Sequence, residues 1–262
     1  MMLVKFELLN EYIKSWKKSK DINGLLLTGN SGYGKTFEIL KQLKDEEHLV
    51  INSHVTALKL YMSLYYTRNG FLIIDDVLEL FKNSNTCGLL LAALQTNEKD
   101  RLISWYTTSN SLGDVPERFY YNGKLAIICN KLPSKLEHLE SRCFHYELSL
   151  TYNELIEKIE DVRKAKGYPK ELTKFIIKHT NKYTNPKILN LRLLIKLNSL
   201  YKESNNWKQI GIHLIKNDKR LYVLNKIVKK FNNIEDQINE YYKLTGKKRA
   251  SFYRDKKLLK LL

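Results

Sequence analysis

The segment GNSGYGKT, residues 29–36, sets Gly29, Gly34, Lys35 and Thr36 in the spacing G-x-x-x-x-G-K-[ST]. That spacing suits the capture of a nucleotide phosphate. Glycine lets the backbone curl, so that the N–H groups of Gly29, Asn30, Ser31, Gly32, Tyr33 and Gly34 can form a nest for an anion. Lys35 is expected at the β- and γ-phosphates, and Thr36 is expected to set its hydroxyl on Mg²⁺. Two acids, Asp75 and Asp76, close the run FLIIDD. Asp75 is expected to hold Mg²⁺, through water or the Thr36 hydroxyl, and Asp76 to orient or deprotonate an attacking water. Asn130 ends the run LAIICN, where a neutral amide can hydrogen-bond the γ-phosphate or the lytic water. Arg142 precedes the strand-like run CFHYEL. It either pairs with a local acid or reaches a neighbouring subunit's site.

These residues need elements that bring them to one place. GLLLTG, before the glycine-rich loop, is a short apolar run of the kind that forms a buried parallel strand. TFEILKQLK, after it, has helical spacing, so the helix N-terminus would face the phosphates. FLII before Asp75 and LAII before Asn130 are continuous apolar runs as well. A parallel strand of this type delivers its polar end to the sheet edge where ligands bind. The first 20 residues, MMLVKFELLNEYIKSWKKSK, read as an amphipathic helix and lack the continuous apolar stretch of a signal peptide.

The chain has 262 residues, enough for two or three structural units, and no apolar run of membrane-spanning length. Three scattered cysteines and six unclustered histidines predict a reducing, cytoplasmic setting and no zinc site. The formal net charge is +17, which favours a polyanionic partner. Residues 206–262 alone carry 15 Lys/Arg against 5 Asp/Glu, so the excess concentrates at the C-terminal end.

Taken together, GNSGYGKT, FLIIDD, AIICN and SRC resemble, in order and spacing, the Walker A, Walker B, sensor 1 and arginine-finger motifs of AAA+ ATPases. The resemblance covers about residues 20–150. The double aspartate and CNKLPSKLEHLESRCFHYEL are similar to the replication-initiator and helicase-loader branch and to the related transposition ATPases; other features resemble phage and mobile-element members. It implies an α/β core, residues 1–150, with a parallel five-stranded sheet, ATP and Mg²⁺ as ligands, and a ring or filament of like subunits. It also implies a helical lid over residues 151–205. Thr151 and Glu154 form a capping box at its start, and KELTKFIIKHTNKY and NPKILNLRLLIKLNSLYKES continue the helical periodicity. Arg192 stands where the family places its sensor 2 arginine. Many motor ATPases carry glutamate where this chain has Asp76; the shorter aspartate implies slow hydrolysis, which lengthening to glutamate is expected to raise.

Between the second and third motifs, DRLISWYTTSNSLGDVPERFYYNGK predicts a short strand or hairpin. The family often turns this region toward a central pore, where Trp105, Tyr106, Arg118 and Lys124 are expected to contact a nucleic-acid strand by stacking and charge, with packing as the alternative for Trp105. The tail IEDQINEYYKLTGKKRASFYRDKKLLKLL reads as helix, Gly246 turn, helix, and resembles the helix-turn-helix tails of phage and mobile-element proteins. Phe252, Leu258 and Leu259 are expected to pack inward. Lys247, Lys248, Arg249, Ser251, Tyr253, Arg254 and Lys257 are left for DNA. Domain breaks are expected near Leu150 and at the polar stretch 204–206, which would make residues 206–262 a basic DNA-binding domain.

Three functions fit: a DNA-engaged ATPase of replication initiation or helicase loading, with a helicase or another replication protein as partner; a transposition-type target-selection ATPase; and a nucleotide-gated DNA-binding switch with little turnover. A GTPase is disfavoured because CNKL lacks the aspartate of the guanine-selecting N-K-x-D.

Overall fold

The computed structural model describes residues 2–97, 101–107, 112–132, 137–216 and 220–260. The chain divides into two units, one holding Leu3–Asn30 and Gly34–Ser149, the other Ser31–Tyr33 and Leu150–Leu262.

The first unit runs α1 (Met2–Lys18), β1 (Gly24–Gly29), α2 (Lys35–Gln42), β2 (His48–Ile51), α3 (Ala57–Tyr66) and β3 (Phe71–Asp75). After a 3₁₀ turn (Leu78–Lys82) come α4 (Ser84–Ala93), β4 (Leu102–Ser104), β5 (Arg118–Tyr120), β6 (Lys124–Ile128), α5 (Glu137–Glu140) and β7 (Cys143–Leu148). Five strands form one sheet in the order β2-β3-β6-β1-β7, and every pairing is parallel. The apolar runs read from the sequence are its interior: all six residues of β1 are buried, as are Leu72–Ile74 and Leu125–Ile128. A continuous apolar run survives here because both faces of a central parallel strand are covered.

The N-terminal helix is amphipathic as expected. Leu9, Ile13 and Trp16, spaced by about one turn, are fully buried. Trp16 donates its indole N–H to the Asn23 carbonyl at 2.7 Å and meets Phe71 edge-on at 5.4 Å. β4 and β5 make the expected hairpin, an antiparallel pair with Ile103 opposite Phe119. Part of the segment read as its loop, residues 108–111, lies outside the described residues.

The second unit adds α6 (Tyr152–Ala165), α7 (Lys170–His179), α8 (Leu191–Glu203), α9 (Trp207–Lys216), α10 (Arg220–Lys230), α11 (Ile234–Thr245) and α12 (Arg249–Lys260). The capping box is present: Thr151 Oγ1 accepts from the Glu154 N–H, and Glu154 accepts from the Thr151 N–H at 2.7 Å. The stretch 204–206 is a turn between helices that pack on each other. Trp207 packs tilted against Phe175 at 5.0 Å and edge-on to Tyr201 at 5.4 Å, so α9 belongs with α7 and α8. α10, α11 and α12 share a separate core of Leu224, Ile227, Ile238, Tyr241 and Phe252. The packing thus regroups residues 207–216, which sequence polarity assigned to the tail.

Arg101 is 2% exposed, and its guanidinium serves backbone carbonyls. Nε donates to Gln95 at 2.6 Å, and one terminal nitrogen donates to Asp21 at 2.6 Å and Thr96 at 3.1 Å. It ties the approach to β1 to the exit from α4. Arg101→Met keeps the apolar stem and strands these acceptors, so it should lower unfolding free energy by on the order of 3 kcal/mol in a denaturant titration.

Candidate functional site

Parallel pairing in fixed register brings the ends of β1, β6 and β3 together. Leu27 pairs with Ile128, and Ile128 pairs with Asp75. The next residue of β6's exit, Cys129, donates its N–H to Leu27, and the Asn130 carbonyl accepts from the Gly29 N–H at 3.3 Å. The Asn130 side-chain amide faces Asp76 Oδ1 at 3.5 Å. Asn130 therefore touches the glycine-rich loop with its backbone and the second acid with its side chain.

Thr36 donates its hydroxyl to Asp75 Oδ2 at 2.9 Å. The pair joins α2 to β3 and presents two hard oxygen donors side by side, the chemistry Mg²⁺ selects. Lys35 is buried, with Nζ donating to the carbonyls of Gly29 at 2.7 Å and Asn30 at 2.9 Å. The loop is shaped for close backbone approach. Gly29, Gly32 and Gly34 have φ of 134°, 77° and 90°, a region L-residues rarely enter. A Cβ on Gly29 would lie 2.3 Å from the Leu148 carbonyl oxygen. The donor set and the cradle fit a nucleotide phosphate with its Mg²⁺: Lys35 and the loop N–H groups for the phosphates, Thr36 and Asp75 for the ion.

Asp76 carries a feature invisible in the sequence. Its φ is 57°, and it is the only non-glycine residue with positive φ among the described residues. The turn is held by its N–H, which donates to the Ile128 carbonyl at 2.8 Å. Aspartate tolerates this left-handed conformation better than glutamate does. A longer acid at this position therefore carries a backbone cost that residue type alone does not reveal.

Cys129 lies behind this edge. Burial pushes its thiol up to about 11, with Lys35 pulling it down and Asp76 pushing it up. It remains a protonated thiol at neutral pH, a core residue rather than a nucleophile.

In the second unit, which includes the loop tip, Arg192 donates to Ser31 Oγ at 2.6 Å. Asn190 caps α8 through the N–H groups of Arg192 and Leu193, and the Leu191 N–H donates to the Gly32 carbonyl at 3.0 Å. A Cβ on Gly32 would meet Asn190 at 2.9 Å. The role of Asn190 was not read from the sequence, although an asparagine before a helical run is a capping signal.

Arg142 lies elsewhere. It precedes β7 at the end where Gly24 pairs with Cys143, the opposite sheet edge from the glycine-rich loop. Its guanidinium is half-buried and donates to the Leu91 carbonyl of α4 at 3.0 Å. The hairpin residues separate into two kinds. Trp105 is half-buried beside Tyr61 at 6.0 Å, and Lys124 donates to the carbonyls of Ser19 and Ile22, so both support the fold. Tyr106 and Arg118 are exposed.

In the tail, Gly246 caps α11 with φ 65° and starts the three-residue turn to α12. Phe252 is fully buried, Leu259 packs on the same cluster, and the Leu258 side chain lies outside the described part. Lys247, Lys248, Arg249, Tyr253, Arg254 and Lys257 are exposed; Ser251 is half-buried.

The sequence matches no family model and no curated protein. In structure the chain is similar to the RuvB Holliday junction branch migration motor of Thermotoga maritima, at 17% identity and TM-score 0.52, covering 94% of this chain and 80% of that one. A point mutant of that RuvB aligns at 16% identity and TM-score 0.53, over 94% and 83%. Replication initiator DnaA, bound to AMPPCP and single-stranded DNA, aligns at 13% identity and TM-score 0.51, over 89% and 75%. The chain thus shares its fold with these solved structures.

Two outcomes follow from this geometry. Lys35→Ala should reduce ATP affinity beyond detection by fluorescent-nucleotide titration while leaving the thermal transition cooperative. Asp76→Glu should cost about 1 kcal/mol of stability, whereas Asp76→Asn, which suits the same backbone, should unfold within a degree or two of the parent.

Proposed function

We propose that this chain is an ATP-hydrolysing AAA+ protein that works as a homo-oligomer on DNA. The observation that carries the reading is the cluster Thr36–Asp75 at 2.9 Å and Asn130–Asp76 at 3.5 Å, built at the ends of adjacent parallel strands beside a glycine cradle. Bound Mg·ATP supplies the phosphoanhydride and its counter-ion. Lys35 neutralises phosphate charge, Thr36 and Asp75 hold the ion, Asp76 accepts a proton from water, and Asn130 keeps that carboxylate oriented. Arg192, already hydrogen-bonded to the loop tip, acts as the sensor 2 arginine.

Arg142 completes the site of a neighbouring copy. Its position at the edge opposite its own loop supports action in trans, because a guanidinium there is out of reach of its own phosphates. The contact with Leu91 holds the turn in its isolated chain and must yield or reorient in the assembly.

DNA is held by α10–α12, with α11 and α12 as a helix-turn-helix. The outward face of α12 presents Arg249, Tyr253, Arg254 and Lys257, and the turn presents Lys247 and Lys248, all exposed. The likeness to a replication initiator favours a role in replication initiation or helicase loading. A nucleotide-gated switch with slow turnover is the second reading, favoured by the constrained aspartate at position 76.

Steady-state ATPase assays test the first part. Arg142→Ala should retain ATP binding and lose about 10³-fold in rate. Mixing it with Lys35→Ala should restore part of the activity from two inactive proteins. Activity independent of protein concentration, with no recovery in the mixture, would show a monomeric enzyme. Negligible turnover by the parent chain with intact ATP binding would select the switch.

Duplex binding tests the second part. A chain ending at residue 219 removes all three helices that share the C-terminal cluster. It should lose most of its duplex affinity and show a flatter salt dependence. Unchanged affinity would place the DNA surface outside α10–α12.

A further inference from the structure

The cations on the C-terminal three helices are not equivalent. Lys247, Lys248 and Lys257 are exposed and form no ion pair among the described residues. Arg254 lies 3.9 Å from Asp255 and weakly contacts Ser251. Arg249, the first residue of α12, is clasped. Its two terminal nitrogens donate to the two carboxylate oxygens of Glu235, at 2.6 and 3.1 Å. Glu235 sits in the first turn of α11, next to its Asn233 cap. The same guanidinium lies over the Tyr253 ring, 5.9 Å from its centroid.

Two properties of this pair matter together. A bidentate fork on a carboxylate uses the same planar geometry that an arginine offers a phosphate. Glu235 is therefore a competitor for any phosphate that approaches the start of α12. The pair is also open to water, with side chains 57% and 51% exposed, so the clasp is weak enough to be displaced. The Tyr253 ring would keep the released guanidinium on the outward face of the helix.

The geometry points to Glu235 as a built-in competitor that holds Arg249 back from DNA and sets the affinity of this surface. Direct contact at low occupancy falls to Lys247, Lys248, Arg254 and Lys257, and Arg249 joins only where a phosphate displaces the carboxylate. This inference rests on the DNA-binding reading above.

The test uses the full chain and a short fluorescein-labelled duplex, followed by anisotropy across a salt series. Glu235→Gln should tighten binding roughly two- to fivefold. It should also steepen the slope of log affinity against log salt by up to about 0.9, the value of one further phosphate contact. Arg249→Ala should abolish that gain, so that the double variant binds like Arg249→Ala alone. Glu235→Asp keeps the charge but shortens its reach, and should tighten binding by a smaller factor. That arm also guards against misfolding of the amide variant.

If Glu235→Gln tightens binding equally with and without Arg249, the effect is general repulsion and the clasp is overturned. Unchanged or weaker binding by both Glu235 variants, with the parent still dependent on α10–α12, also overturns it and leaves the DNA reading intact. A parent chain whose duplex affinity does not depend on α10–α12 removes that reading and the inference together.

Discussion

Asn130 holds three pieces of chain in register. Its carbonyl accepts the Gly29 N–H, its amide faces Asp76, and its own strand pairs with both β1 and β3. None of these contacts is strong alone. Their effect is geometric, because parallel strands have one register in which Leu27, Ile128 and Asp75 lie side by side. A slip of one residue would turn each side chain to the other face of the sheet. It would separate Thr36 from Asp75 and pull the loop cradle away from the acids. The fully buried interior of the sheet, Leu25–Leu27, Leu72–Ile74 and Leu125–Ile128, makes such a slip costly. Core packing and site geometry are thus one constraint.

The same edge stores local strain. A non-glycine residue in the left-handed region persists only when its surroundings impose it. At Asp76 the imposing contact is the N–H bond to Ile128, which belongs to the sheet edge itself. The strand ends abruptly, and the carboxylate turns toward Asn130 rather than continuing along β3. The position therefore selects for a short acid on backbone grounds before any question of chemistry arises.

Much of this was legible from residue types. Continuous apolar runs ending in Asp75 or Asn130 read as central strands because burial on both faces removes polar alternation. The glycine-rich loop, the Thr151 capping box and the Gly246 turn were legible because each needs a particular residue to satisfy backbone groups. Lys124 read as a nucleic-acid contact yet supports the fold, and Trp105, read as either contact or packing, packs beside Tyr61: both are amphipathic, and only tertiary packing decides which end meets water. The polar stretch 204–206 resembled a linker, yet the ring of Trp207 one residue later packs on Phe175 and Tyr201. Gly211 permits that approach, since a Cβ there would lie 2.8 Å from Leu197. Long-range pairing was the least legible. Glu235 and Arg249 are 14 residues apart, and Arg249 reads as a DNA contact with nothing in the sequence to point to its carboxylate partner.

The N-terminal helix does more than fill a groove. β7 is one margin of the sheet, and α1 is fastened along it: Tyr146 donates to the Lys5 carbonyl at 2.8 Å, Lys5 donates to the Ser149 carbonyl at 2.7 Å, and Tyr12 packs on Phe144 and Tyr146. The other margin, β2, is four residues long and follows the charged run Lys44-Asp45-Glu46-Glu47. A helix on one side and a short, charge-flanked strand on the other are both devices that discourage a foreign strand from adding to a sheet. Both margins of the sheet therefore resist strand addition, so the sheet is closed off at five strands by its own flanking segments.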